Sequence, residues 1–106
     1  ETTMSQTLLA GAPVDLNDEG YLTDMSQWTP DVARDIAAEE GIPLTDKHFE
    51  VLDYLRTQQA EGTKLSIRRV GKSGIVSIKE FYDLFPGGPL KKASRIAGIS
   101  KPASCV

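Results

Sequence analysis

A single thiol, Cys105, stands one residue before the carboxyl terminus of this 106-residue chain, in the closing stretch KPASCV. Free cysteine is usually a small buried hydrophobe. A residue so near a chain end, behind Lys101-Pro102 and two small residues, is hard to bury for good. An exposed thiol titrates near about 8.5, and nearby cations favour the nucleophilic thiolate. Lys91, Lys92, Arg95 and Lys101 are the closest cations in sequence, opposed by the terminal carboxylate. A sulfur of this kind on a swinging arm can attack a persulfide on another protein and leave with the outer sulfur atom.

Other chemistry is poorly provided for. The one histidine, His48, falls near the start of an expected helix, where a structural or surface role suits it better than that of a general base. No cysteine and histidine set has zinc spacing, so no metal or other cofactor is expected. The glycines of PGGP follow a helix and lack the Lys-Ser/Thr ending of a phosphate loop. The pairs Asp18-Glu19 and Glu39-Glu40 sit at element ends, where turns and helix dipoles use carboxylates.

The elements that must position the thiol are short and well punctuated. TLLAGAPVDLNDEGYL places apolar stretches around the turn signals Gly11-Ala12-Pro13 and Asn17-Asp18-Glu19-Gly20, which suits an amino-terminal hairpin. In WTPDVARDIAAEEG, Thr29 caps a helix, Pro30 fits its first position and Gly41 closes it, with Val32, Ala33, Ile36 and Ala37 on one face. LTDKHFEVLDYLRTQQAEG repeats the plan, with Thr45 as cap, Leu44 and Phe49 in staple spacing, and a stripe through Leu52 and Leu55. SIRRVGK predicts two helical turns with Ile67 and Val70 inward, broken by Gly71 to Gly74. VSIKEFYDLF opens with Ser77 and Glu80 in capping-box spacing and Val76 and Phe81 in staple spacing. A last helix starts at Pro89 and ends before Gly98, and residues 99–106 are expected to form an extended, flexible arm. The expected fold is mainly α: one domain over residues 1–106, a small orthogonal bundle of about five helices with the hairpin in front. Met4 can serve as the start, and residues 1–6 are expected to be disordered or a cloning remnant.

Composition is ordinary for a soluble domain, at 40% apolar and 25% charged residues with no run long enough for a membrane helix. One cysteine cannot form an internal disulfide, and no basic, then apolar, leader opens the chain, so a cytoplasmic monomer is expected. Net charge is −3, yet residues 1–63 carry 13 acidic and 3 basic side chains (net −10) and residues 64–106 carry 2 acidic and 9 basic (net +7). That asymmetry fits either a dipolar molecule with solvated cations or a docking face for an acidic partner. Arg68, Lys72, Lys91, Lys92 and Arg95 are the candidate dock, with Lys101 beside the thiol. Two helices joined by a glycine-bearing turn, carrying Lys64, Arg68, Arg69, Lys72 and Lys79, could also form a helix-turn-helix that binds DNA. The second helix, IKEFYDLF, is too apolar and carries Glu80 and Asp83, so core packing suits it better than base reading.

The ending LFPGGPLKKASRIAGISKPASCV resembles the carboxyl-terminal signature of the DsrC/TusE family, LFPxGPxKxACxxAGLPKPTGCV. DEGYL, the Trp28 region, LTDKHFEVLDYLR and IRRVGK resemble further family segments in the same order, so the likeness spans the chain from about Val14. It implies a helical domain with a hairpin, a helix-turn-helix-like element and an arm whose penultimate cysteine, here Cys105, accepts sulfur. The implied partners are a TusBCD/DsrEFH-like donor complex and, as acceptor, a tRNA thiouridylase or a sulfite reductase.

Departures from the signature separate the branches. Serine stands at position 94, eleven residues before Cys105, where DsrC proper has a second cysteine. Serine cannot hold persulfide sulfur, so the chain resembles the single-cysteine, TusE-like branch, which implies a role in wobble-uridine thiolation of tRNA. Cysteine to serine is also a near-isosteric way to remove a thiol, which leaves open a two-cysteine parent with a DsrC role in sulfur metabolism. Phe49, Ser100 and Ser104 replace the usual tryptophan, proline and glycine. In the family's terms the chain is a sulfurtransferase only as a carrier, moving one sulfur per visit.

Overall fold

Two strands pair before the first helix: β1 (Ser5–Leu9) runs antiparallel to β2 (Ala12–Leu16), with Ser5 opposite Leu16 and Leu9 opposite Ala12. The computed structural model describes the backbone of residues 5–9 and 12–100 and the side chains of residues 14–100. Two expectations shift here. Ala12 and Pro13, read as turn residues, belong to β2; proline is tolerated there because a two-stranded ribbon has free edges. Ser5 and Gln6, expected with a disordered terminus, pair with Leu16 and Asp15. The second turn forms as expected: Asn17 Oδ1 accepts from the amides of Glu19 and Tyr21, Gly20 takes φ +86°, and Leu22 returns to bridge Leu16.

Five helices follow a 3₁₀ turn at Met25–Gln27. Helix α1 (Pro30–Glu40) is capped by the Thr29 hydroxyl and stopped by Gly41 at φ 74°. Its face of Val32, Ala33, Ile36 and Ala37 is fully buried. Helix α2 (Asp46–Ala60) contributes Val51, Leu52 and Leu55 to the core, while Leu44 and Phe49 pack at its margin. Helices α3 (Ile67–Gly71) and α4 (Ile78–Leu84) pack on each other across a short turn, the helix-turn-helix-like element anticipated from sequence. Gly71 is the last residue of α3, and glycine is needed there because a Cβ would collide with Ile78 Cγ1. Helix α5 (Pro89–Ile96) packs on α1, α2 and α4, and so closes the core through Leu90, Ala93 and Ile96. No described helix is long and apolar enough to cross a membrane.

His48 is one of two polar side chains buried among the described residues, and it holds α2 to α4. Its Nδ1 accepts from the Thr45 amide at 3.1 Å, which requires the tautomer with hydrogen on Nε2; that Nε2–H donates to Leu84 O at 2.9 Å. The ring meets Phe85 edge-on at 5.1 Å, and Phe85 meets Phe81 at 5.8 Å. A structural role for His48 is thus what the geometry gives, with histidine standing in the capping box where glutamate or glutamine is usual. His48→Ala leaves the Leu84 carbonyl and the Thr45 amide unmet and opens a gap beside Phe85. It should cost about 2–3 kcal/mol of unfolding free energy in urea titration without changing the helical content of the folded protein.

Candidate functional site

The candidate site grows from the carboxyl end of α5, where the chain departs toward Cys105. A helix leaves its last carbonyls without intrahelical donors, and here each is met. The Ala97 amide donates to Ala93 O at 2.8 Å, Gly98 to Arg95 O at 3.3 Å, and Ile99 to Ser94 O at 3.1 Å. With Gly98 at φ +71°, this is a Schellman ending. Two side chains from elsewhere complete it. Trp28 Nε1–H donates to Ile96 O at 2.8 Å, and Arg56 Nη1 donates to Ala97 O at 2.9 Å. Arg56 Nη2 also reaches Met25 O at 3.1 Å, and its guanidinium lies 4.3 Å from the Trp28 ring centre. Burial pushes the Arg56 pKa below the ordinary arginine value while Asp53 raises it; the group stays charged at neutral pH. Gly98 is doubly required, since a Cβ would sit 2.5 Å from Trp28 Cδ1 on backbone already left-handed.

Residues 99 and 100, expected to belong to a flexible arm, are held against the body. Ile99 is fully buried in the core, and the Ser100 hydroxyl accepts from Gln59 Nε2 at 3.1 Å. Cys105 and Lys101 lie outside the described residues. Ser94, the position of the missing second cysteine, faces the core at 0% exposure, and its Oγ has no hydrogen-bond partner among the described residues. A hydroxyl so placed forfeits hydration without compensation, which a thiol, a weak hydrogen-bonding group, tolerates better.

The expected cationic dock divides in two. Lys91, Lys92 and Arg95 line a cleft of about 380 Å³ with Glu19, Tyr21, Glu40 and Gly87, whereas Arg68 and Lys72 line a separate hollow on α3. Arg95 is not a free cation: its Nη1 and Nη2 bind Glu40 and Glu39 at 2.7 Å each, and its Nε donates to Gly20 O at 3.1 Å. Burial lowers its pKa, but the hydrogen bonds to Glu39 and Glu40 outweigh that and hold it above the ordinary value. Lys92 pairs with Glu40 at 3.6 Å. Of the three, only Lys91 has an exposed side chain without an ion pair among the described residues, so α5 is largely neutralised by α1.

The family model described as DsrC like protein matches residues 8–106, from the first strand to the carboxyl terminus. The chain belongs to the DsrC family. Sulfurtransferase TusE of Escherichia coli (strain K12) is 36% identical over 107 residues, which is 93% of this chain and 98% of that protein. TusE of Shigella dysenteriae aligns to the same extent, at 36% over 107 residues. Among solved structures, dissimilatory sulfite reductase I (DsrI) superposes with a TM-score of 0.83 at 31% identity, covering 96% of this chain and 100% of its own. The oxidized gamma-subunit DsrC of Archaeoglobus fulgidus gives 0.79 at 31% identity with the same coverage of 96% and 100%. The solution structure of Allochromatium vinosum DsrC gives 0.79 at 31%, covering 97% of this chain and 99% of that one.

Within this DsrC-family fold, sequence reasoning missed Trp28, Arg56 and Gln59 as the residues that seat the arm. Trp28 and Arg56 lay inside segments that carried the family likeness, but their target is a set of backbone carbonyls 68 and 41 residues away, which side-chain patterning does not display. Arg56→Gln cannot span both Ala97 O and Met25 O. The Ile99 amide should then exchange with solvent about tenfold faster by NMR, with α1 amides unaffected. Ser94→Ala removes an unpaired buried hydroxyl and should leave stability unchanged or raise it by up to about 1 kcal/mol in urea unfolding.

Proposed function

We propose that the chain is a sulfur carrier of the TusE type, with Cys105 as its persulfide site. The observation that carries this reading is the rigid seat at Ile99 and Ser100, five residues before the single thiol, in a chain whose curated relatives are named Sulfurtransferase TusE. Five extended residues reach roughly 17 Å beyond Ser100, enough for the thiol to enter a partner's active site while the body stays outside. The Cys105 thiolate attacks the outer sulfur of a donor cysteine persulfide; a new S–S bond forms on Cys105, the donor S–S bond breaks, and the donor thiolate leaves. No net oxidation occurs, and the proton on the transferred sulfur travels with it. The acceptor reverses the roles by attacking the Cys105 persulfide in the same way.

The donor we infer is a TusBCD/DsrEFH-like complex and the acceptor a tRNA thiouridylase, in the cytoplasm. A second reading, a DsrC-type partner of sulfite reductase, draws on one observation: the unpartnered, fully buried Ser94 Oγ occupies a place better suited to a thiol. A DNA-binding regulator is less well supported, because α4 presents Ile78 and Tyr82 to solvent and commits Lys79 to Asp83 at 3.1 Å.

Intact-protein mass spectrometry after incubation with a persulfide donor tests the carrier reading. One sulfur atom should add to the protein, come off on reduction and be absent in Cys105→Ser. No gain with any donor would end the proposal. An internal disulfide or sulfur bridge appearing in Ser94→Cys would favour the DsrC-type reading.

A further inference from the structure

The hollow on α3 is lined chiefly by hydrogen-bond donors, and the thiol chemistry uses none of them. It encloses about 370 Å³ between Tyr54, Ser66, Arg68, Arg69, Lys72 and Ser73. Arg68, Arg69 and Lys72 are exposed and form no ion pair among the described residues. Guanidinium and ammonium groups donate and never accept. The Ser66 oxygen accepts from the Arg69 amide at 3.1 Å, and its own hydrogen has no acceptor among the described residues. The half-buried Tyr54 hydroxyl has no partner among them either. Ser73 is already engaged, donating to Val70 O at 2.6 Å and accepting from the Ile75 amide at 3.2 Å. No carboxylate lines this hollow, in contrast to the cleft on α5, where Glu40 takes up Lys92 and Arg95. The frame around it is fixed: Val70 is buried, Ser66 caps α3, and Tyr54 packs on the core from α2.

We propose that this hollow binds a tetrahedral oxyanion carrying two negative charges and no proton: sulfate, or the terminal group of a phosphate monoester. Three unpaired cations and two hydroxyl donors call for a ligand that accepts at several oxygens and bears more than one charge. A protonated phosphate would need an acceptor for its P–OH, and the lining offers no carboxylate to take it. The phosphodiester backbone of a nucleic acid fits less well. Each of its groups carries one charge and they come in a row, whereas the hollow serves one group. α4, which packs on α3, carries the exposed carboxylates Glu80 and Asp83 against such a row. The proposal is independent of the carrier reading: the hollow shares no residue with Trp28, Arg56 and Gln59, which seat the arm.

NMR titration of the full chain with sodium sulfate, inorganic phosphate and glycerol 3-phosphate, each against sodium chloride at equal ionic strength, tests the site. Sulfate and glycerol 3-phosphate should produce saturating shifts at the amides of residues 66–73, where chloride produces none that saturate. Tighter binding of glycerol 3-phosphate than of the inorganic ions assigns the hollow to an organic phosphate; equal binding assigns it to the free anion. Arg68→Gln/Lys72→Gln should weaken either ligand at least about tenfold. Both side chains are exposed, so its thermal melt should match the parent. Lys64→Gln, which removes an exposed cation outside the lining, should bind within about twofold of the parent. Shifts that follow ionic strength alone, shifts that map to the α5 cleft, or an equal loss in Lys64→Gln overturn the proposal. Duplex-DNA binding through Arg68 and Lys72 with no saturation by any of the three oxyanions overturns it as well.

Discussion

The carbonyl groups at the end of α5 must find donors in a place where water has little access, and the rest of the molecule is arranged around meeting that demand. Three come from the chain's own turn at Gly98, one from Trp28 and one from Arg56. The turn needs glycine for its left-handed φ and for the close approach of the indole. The indole needs the loop before α1, and the guanidinium needs α2, so two separate elements are fixed by one helix end. Buried backbone groups left unmet cost about 1–3 kcal/mol each, and five such groups amount to much of the stability of a small domain. The seat of the arm and the integrity of the fold are therefore the same set of bonds.

That economy explains why the charge asymmetry in the sequence does not translate into one basic surface. The acidic half and the basic half meet where α1 packs on α5: Glu39 and Glu40 at the end of α1 take up Arg95 and Lys92 of α5. Arg95 is only 19% exposed in its side chain, and by also binding Gly20 O it ties the turn after β2 to the two helices. Arg68, Arg69 and Lys72 of α3 are exposed and form no ion pair among the described residues. Charge counted along a chain reports potential partners of either kind, intramolecular or foreign, and only the packing of α1 on α5 divides them.

Helix starts were legible because their signals are local. Thr29, Thr45, Ser66 and Ser77 each accept from the amide three residues on, and Pro30 and Pro89 stand at first positions as their rings require. The exact turn of the hairpin was less legible, since Pro13 signals a turn locally but is drawn into β2 by pairing with Leu8. His48 was placed correctly as structural but without its partner, because Leu84 O lies 36 residues away and belongs to the backbone. Of the candidate site, the thiol and the helix before it were legible from type and position. The clamp of Trp28 and Arg56 was not, nor was the pairing of Arg95 with Glu39 and Glu40, for the same reason: each partner is set by tertiary packing.

Ser94 shows how the seat constrains the chemistry on either side of it. Its carbonyl is bound to the Ile99 amide, so the residue lies within the turn that launches the arm, while its side chain points into the enclosed core. A hydroxyl there has no partner among the described residues, and unlike a thiol it cannot store sulfur. The chain is left with one sulfur-bearing position, and a carrier with one such position can load and unload but cannot discharge its cargo internally by forming a bridge. Its sulfur must leave through a second protein.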